Sequence, residues 1–299
     1  MPGSRELLDP AALARLGNLE LVARTAVEGF LRGLHRSPFK GSSVEFAEHR
    51  PYVPGDDIAH IDWRSYAKTD RYFLKEYEDE TNLRATILLD ASASMGFGSR
   101  GLSKFRYGQC LAAALGFLMV GELDAVGLVL FDSRVAKHIP PKASATHLAG
   151  VLGELERASP GGETALGAVL RAAAERVKRR GLVVVISDLL DDPREILKEL
   201  ARFRHRRSEV LVFHLVDPQE MEFPFTGWTV FRDLEPPGMR VRLDARQIRA
   251  TYLKNLAAHL VQLRKGCGST GVGYCLLDTR TPFDQGLARY LAARQGRGR

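Results

Sequence analysis

The residues best suited to chemistry are oxygen donors spaced along three separate stretches. Asp90-Ala91-Ser92-Ala93-Ser94 follows an apolar run, Gly161-Gly162-Glu163-Thr164 precedes a helical stretch, and Asp188 closes the run Leu-Val-Val-Val-Ile-Ser. Two carboxylates and three hydroxyls form a hard-oxygen donor set with few charges, which suits an octahedral Mg²⁺ and also serves Mn²⁺ or Ca²⁺. Because most of these donors are neutral, the ion keeps residual positive charge and a free coordination position. An outside carboxylate would be drawn to it. The plainer reading of the first stretch is an N-cap, since Asp and Ser are common at strand-to-helix turns. The joint placement of Asp90, Ser92, Ser94, Thr164 and Asp188 favours the ion.

Other chemistries fit less well. Gly96-Phe97-Gly98-Ser99-Arg100-Gly101 has the spacing of a dinucleotide fingerprint. Its first glycine, however, comes well after the strand end where the tight turn is needed, and Asp90 would stand in the way of a pyrophosphate. The stretch reads instead as a flexible loop. An Asp90 phosphotransferase would want a second acid where Ser92 stands, and neither Ser92 nor Ser94 lies in a nucleophile elbow. His214 sits inside a buried-strand pattern, and His49, His60 and His138 fall on loops. No nucleophile–base pair is visible, and the chain is expected not to be an enzyme. A metal-dependent phosphoester hydrolase using the same ion is the alternative.

These donors need a scaffold that gathers strand ends. Apolar runs at 85–89, 125–131, 182–186, 209–216 and 271–277 alternate with helical stretches at about 103–121, 145–157, 165–180, 193–204, 244–265 and 282–294. Near-continuous apolar strands separated by helices predict an α/β fold with a mostly parallel sheet covered on both faces. A short strand at 135–139 adds an antiparallel edge, and 228–243 reads as an inserted hairpin. Ligands of such sheets sit outside the carboxyl ends of the strands, which is where the donors fall. Upstream, 6–35 has helical periodicity, and 38–83 is broken by Pro and Gly among charged and aromatic residues. Residues 1–83 are expected to form a helical arm and loop segment packed on a domain spanning 84–299.

With 299 residues, 45% of them apolar and 26% charged, the chain has ample material for a core. No apolar run approaches the ~20 residues of a spanning helix, and the first residues lack a secretory h-region, so a cytoplasmic location without membrane insertion is expected. Cys110, Cys267 and Cys275 form no metal or disulfide pattern and are expected to be structural. The net charge of +7 is spread out; its densest cluster, Arg202 to Arg207, reads as a solvated face, with no nucleic-acid partner implied.

The donor set resembles the metal-ion-dependent adhesion site of von Willebrand factor A domains, with Asp90, Ser92 and Ser94 as the first motif, Thr164 the second and Asp188 the third. Upstream, Phe46-Ala47-Glu48-His49-Arg50, Tyr52, Pro54-Gly55-Asp56-Asp57, Ile61-Asp62-Trp63-Arg64, Ala67-Lys68-Thr69, Tyr77-Glu78 and Asn82 are similar to the signature of the bacterial domain-of-unknown-function-58 family. Tyr252, His259 and Tyr290-Leu291 extend the likeness towards the end of the chain. The resemblance implies a von Willebrand A-like, Rossmann-like sheet and a Mg²⁺-dependent protein-interaction module. It also implies a protein partner: a MoxR-type AAA+ ATPase for which the chain is an adaptor, or that ATPase's client.

Overall fold

The computed structural model describes residues 10, 18–36, 49–51, 73–75, 83–99, 101–177, 180–234 and 239–295. The chain divides into two units, one of residues 34–82 and one of residues 1–33 with 83–299. In the smaller unit, β1 (His49–Pro51) pairs antiparallel with β2 (Phe73–Lys75). The rest of the upstream signature, from Phe46 to Glu48 and from Tyr52 through Asn82 apart from β2, lies outside the described residues, as does most of the helix expected before residue 18.

The larger unit contains α1 (Leu19–Arg36) up to Gly33, β3 (Arg84–Asp90), α2 (Lys104–Gly121), β4 (Ala125–Phe131), β5 (Val135–Lys142), α3 (Ala145–Arg157) and α4 (Leu166–Arg176). It continues with β6 (Leu182–Ser187), α5 (Pro193–His205), β7 (Glu209–Val216), the short α6 (Pro218–Glu222) and the hairpin β8 (Trp228–Arg232) with β9 (Arg240–Asp244). Then follow α7 (Ala245–Ser269), β10 (Gly273–Asp278) and α8 (Phe283–Gln295). Six strands form one sheet in the order β10-β7-β6-β3-β4-β5, parallel except for β5. This is the α/β sheet with one antiparallel edge that the apolar runs predict.

The strands are uninterrupted apolar runs because both faces are covered. On one face Ala85, Ile87 and Leu89 of β3 pack with the buried sides of α1, α2, α3 and α8. On the other, Leu88 joins Val129, Val183 and Val185 beneath α4, α5 and α7. Each large side chain so buried contributes about 1.5–3 kcal/mol. Helix starts are fixed by side-chain caps: Ser103, Ser144, Asp192 and Asp244 each accept a hydrogen bond from a first-turn N–H. Cys110, Cys267 and Cys275 are buried and free.

The topology decides where a site forms. From β3 the chain passes to α2 on one face, whereas from the neighbouring β6 it passes to α5 on the other. A crevice must open outside the carboxyl ends of β3 and β6.

Candidate metal centre at the strand switch point

Asp90 is the last residue of β3, one step beyond the paired Leu89 and Ile186, and faces the end of β6. Its carboxylate is fully buried and held from two sides. Oδ1 accepts from the Ser92 N–H at 2.9 Å, and Oδ2 accepts from the Ser187 hydroxyl at 2.6 Å. Burial first, and the nearby Asp188 second, push its pKa up to about 7.

After Asp90 the chain turns into a short 3₁₀ segment, Ala93–Gly96, which buries Ser92 and Ser94 and sets their Oγ atoms 3.0 Å apart. The second motif is docked against this turn by backbone bonds: Ala93 N–H donates to Gly162 O at 3.2 Å and Gly161 N–H to Ala91 O at 2.8 Å. Gly162 has φ +78°, which a side chain rarely adopts, and a Cβ there would stand 3.0 Å from Asp132 Oδ2. Thr164 follows, half-buried, just ahead of α4.

Asp188 sits just past β6, also buried. The next residue, Leu189, has φ 52°, an uncommon left-handed conformation outside glycine. Two bonds hold that turn: Leu189 N–H donates to Ser187 Oγ at 3.0 Å, and the His259 Nε2 lies 3.1 Å from Leu189 O. Ser187 is thus a component that the spacing of charged residues did not reveal.

Lys104, at the start of α2, is a second such residue. Its ammonium is buried and lies 2.9 Å from Asp188 Oδ2 and 2.6 Å from Glu220 Oε1. Burial works against its charge, but Asp188 and Glu220 outweigh that, so its pKa is raised. Glu220 belongs to a capping box at α6, reciprocating with Asp217. Asp217 in turn accepts from Ser99 N–H and Ser99 Oγ, both at 2.7 Å. The glycine-rich stretch expected to be a flexible loop is therefore tied down by a carboxylate, the wrong charge for a phosphate cradle.

Part of the donor set has the spacing that ligands of a small divalent cation need. Two neighbouring ligands of an octahedral Mg²⁺ with bonds of about 2.1 Å stand about 3 Å apart, matching the 3.0 Å between the Ser92 and Ser94 hydroxyls. Two buried or partly buried carboxylates, Asp188 and Glu220, share the single ammonium of Lys104, and the Asp90 carboxyl is buried near Asp188. Among the described residues, no group of three or more His, Cys, Asp or Glu side chains is arranged to hold a metal. A site made largely of hydroxyls is consistent with that. His214, read as a core histidine, is buried with Nδ1 2.8 Å from the Tyr274 hydroxyl, and burial brings its pKa down to about 3.

Among the described residues, no helix is long and apolar enough to cross a membrane. A family model described as "Protein of unknown function DUF58" matches residues 48–262. The uncharacterized protein Rv1480 of Mycobacterium tuberculosis is 28% identical over 295 residues, covering 96% of this chain and 91% of that protein. The fold is von Willebrand A-like. It is similar to the conserved hypothetical protein BatB from Bacteroides thetaiotaomicron at 16% identity and a TM-score of 0.52, over 72% of this chain and 99% of BatB. The SpRpn10 VWA domain aligns at 14% identity and a TM-score of 0.39, over 69% of this chain and 94% of that domain.

Proposed function

The chain belongs to the DUF58 family of proteins of unknown function, and we propose that it is a metal-dependent protein-interaction module and not an enzyme. The reading rests on one observation: Asp90, Ser92, Ser94 and Asp188 converge, buried, at the switch point between β3 and β6, with Thr164 on a loop bonded to the same turn. Asp90, Ser92, Ser94, Thr164 and Asp188 would hold Mg²⁺, or Mn²⁺ or Ca²⁺. When bound, the ion supplies a Lewis-acidic position that a partner's Asp or Glu carboxylate completes.

The protein's own residues prepare that exchange. Ser187 and the Ser92 N–H fix the Asp90 carboxylate, and the backbone bonds between 91–93 and 161–162 hold the second motif beside it. Lys104 offsets part of the negative charge, so the ion is not held so tightly by internal carboxylates that it ignores an external one. In this reading the partner is a MoxR-type AAA+ ATPase or its client, and the chain acts as an adaptor in the cytoplasm.

The test is capture from native cells with and without chelator, comparing wild type with Asp90→Ala. Loss of a partner in the variant and in chelator is expected, with folding retained. Equal capture by Asp90→Ala in chelator would overturn the adhesion mechanism. Mg²⁺-dependent phosphoester hydrolysis by wild type, absent in the variant, would replace it with an enzyme.

A further inference from the structure

Beside the switch point lies a cavity of about 260 Å³ that opens to solvent. Its polar side is built from Ser94 and Lys104, the same Ser94 that belongs to the candidate metal site, together with Gln219 and Glu220. The remaining walls are apolar and mostly aromatic, with Phe97, Phe223, Phe225, Phe231, Ile248 and Tyr252 among them.

These rings are organised around Phe223. It stacks on Phe231 at 5.8 Å and 11°, meets Phe225 edge-on at 5.2 Å, and lies 4.7 Å from Tyr252. Phe223 caps α6 with φ 44°, a left-handed conformation in which a phenylalanine is strained. Its N–H still bonds Gln219 O at 2.9 Å, so the turn is held in place. At the rim, Leu190 and Leu234 are 48% and 46% exposed, large apolar groups left in water next to an apolar hollow.

Volume and charge together say what fits. A dry cavity of about 150 Å³ accepts benzene, so 260 Å³ takes one large side chain with room for its stem. It lies below the ~300–1,000 Å³ of pockets that enclose a whole small molecule. The rest of the occupant must therefore lie outside, along the apolar rim. We propose that this cavity is the specificity pocket of the interaction site: it receives a bulky apolar side chain from the protein segment whose acidic residue completes the ion. The motif recognised is an Asp or Glu with Phe, Leu or Trp within two positions. This rests on the adhesion reading, because Ser94 joins the cavity to the ion site.

A displayed library of heptapeptides, random except for a central Glu, tests it on the immobilised full chain in MgCl₂ and in EDTA, with calorimetric titration of Mg²⁺ run in parallel. The expected result is enrichment of Phe, Leu or Trp beside the Glu by roughly tenfold or more over Ala in MgCl₂, the ratio expected for burying one such side chain. The enrichment should fall in Leu190→Ala and vanish in Ile248→Trp, which fills the cavity, while both variants still take up Mg²⁺. Mg²⁺ uptake without apolar enrichment overturns the pocket and leaves the adhesion reading standing. Apolar enrichment that is equal in EDTA, with no Mg²⁺ uptake, overturns the adhesion reading and with it the proposed acid-plus-apolar motif, leaving a pocket that binds apolar side chains without an ion. Neither signal overturns both. Competition by phenylpropionate as strong as that of a selected peptide assigns the cavity to a small acid and overturns the proposal.

Discussion

The ammonium of Lys104 stands 2.9 Å from Asp188 Oδ2, with both side chains buried, so the second acid of the candidate metal site is already ion-paired within the chain. The same ammonium reaches Glu220 on α6 and lies 5.9 Å from the centre of the Phe97 ring. One cation therefore links the ion site to the wall of the aromatic cavity.

Removing one partner of a buried pair strands the other charge, which costs about 3–5 kcal/mol. Lys104→Gln is expected to lose stability of that order in chelator, because Asp188 is left without its cation. Added Mg²⁺ should then raise the melting temperature of the variant more than that of wild type. Denaturant or thermal unfolding of the two proteins with EDTA and with Mg²⁺ checks this; indistinguishable curves in EDTA would show that the pair contributes little.

Asp90 gives the stability a pH dependence. Its folded pKa of about 7 lies above the ordinary 3.8, so the folded protein holds a proton that the unfolded chain has lost between those values. The stability linked to that proton is fully present below about pH 3.8 and is lost as pH rises through 7, by up to a few kcal/mol. Asp90→Asn keeps an acceptor for Ser92 and removes the buried charge, so in chelator it should be more stable than wild type, with the gap widest above pH 7. His214 acts in the opposite sense. Its pKa is depressed to about 3 by burial, so its contribution is present above pH 6.5 and lost as pH falls. The difference between wild type and Asp90→Asn from pH 5 to 8, measured by unfolding, isolates the Asp90 part; no widening of the gap would show that the carboxylate ionises freely in the fold.

Ser187 donates to Asp90 Oδ2 and accepts from Leu189 N–H, although it is not itself one of the candidate ligands. Groups that orient a ligand in this way typically change metal affinity 10–100-fold when removed. Ser187→Ala should weaken Mg²⁺ binding by about that factor in calorimetry while leaving the overall fold unchanged by circular dichroism. Wild-type affinity would show that Asp90 is positioned without it.

The Asp217 carboxylate accepts two bonds from Ser99 and one from Gln219 N–H at 2.8 Å. Asp217→Ala removes a helix cap and the anchor of the glycine-rich stretch, and is expected to cost about 2–3 kcal/mol. Hydrogen exchange should rise first around 97–103, and protection equal to wild type there would locate the anchor elsewhere.

Much of the larger unit can be read from residue types. Strands covered on both faces need no alternation, so β4 and β7 stand out as continuous apolar runs, and capping residues such as Ser144 and Asp192 mark helix starts. The glycines of α7 mislead: a helix expected to end near 265 continues to Ser269. Gly266 is there for close approach, since a Cβ would stand 2.2 Å from Leu197 Cδ1 of α5. Four of the candidate ligands, Asp90, Ser92, Ser94 and Asp188, stand out because their types repeat after strand ends, whereas Thr164 lies between two helices. Lys104, Ser187 and Glu220 do not stand out, since what matters about them is a contact across 84 to 116 residues of sequence. Nor does any glycine flag the left-handed turns at Leu189 and Phe223. Tyr252 and His259, notable in sequence only through a resemblance, gain physical roles in the cavity wall and in the turn after Asp188.

The antiparallel edge strand β5 has a bearing on assembly. An open sheet edge offers a ladder of unpaired amides on which other chains can build. In β5, Pro140 and Pro141 lack the N–H groups such a ladder requires, and Lys137 and Lys142 bring charge to the same stretch. Register shifts against β4 distort the strand further. Strand addition at the β5 border is therefore disfavoured, so of the two borders of the sheet it is β10 that keeps a ladder free of proline.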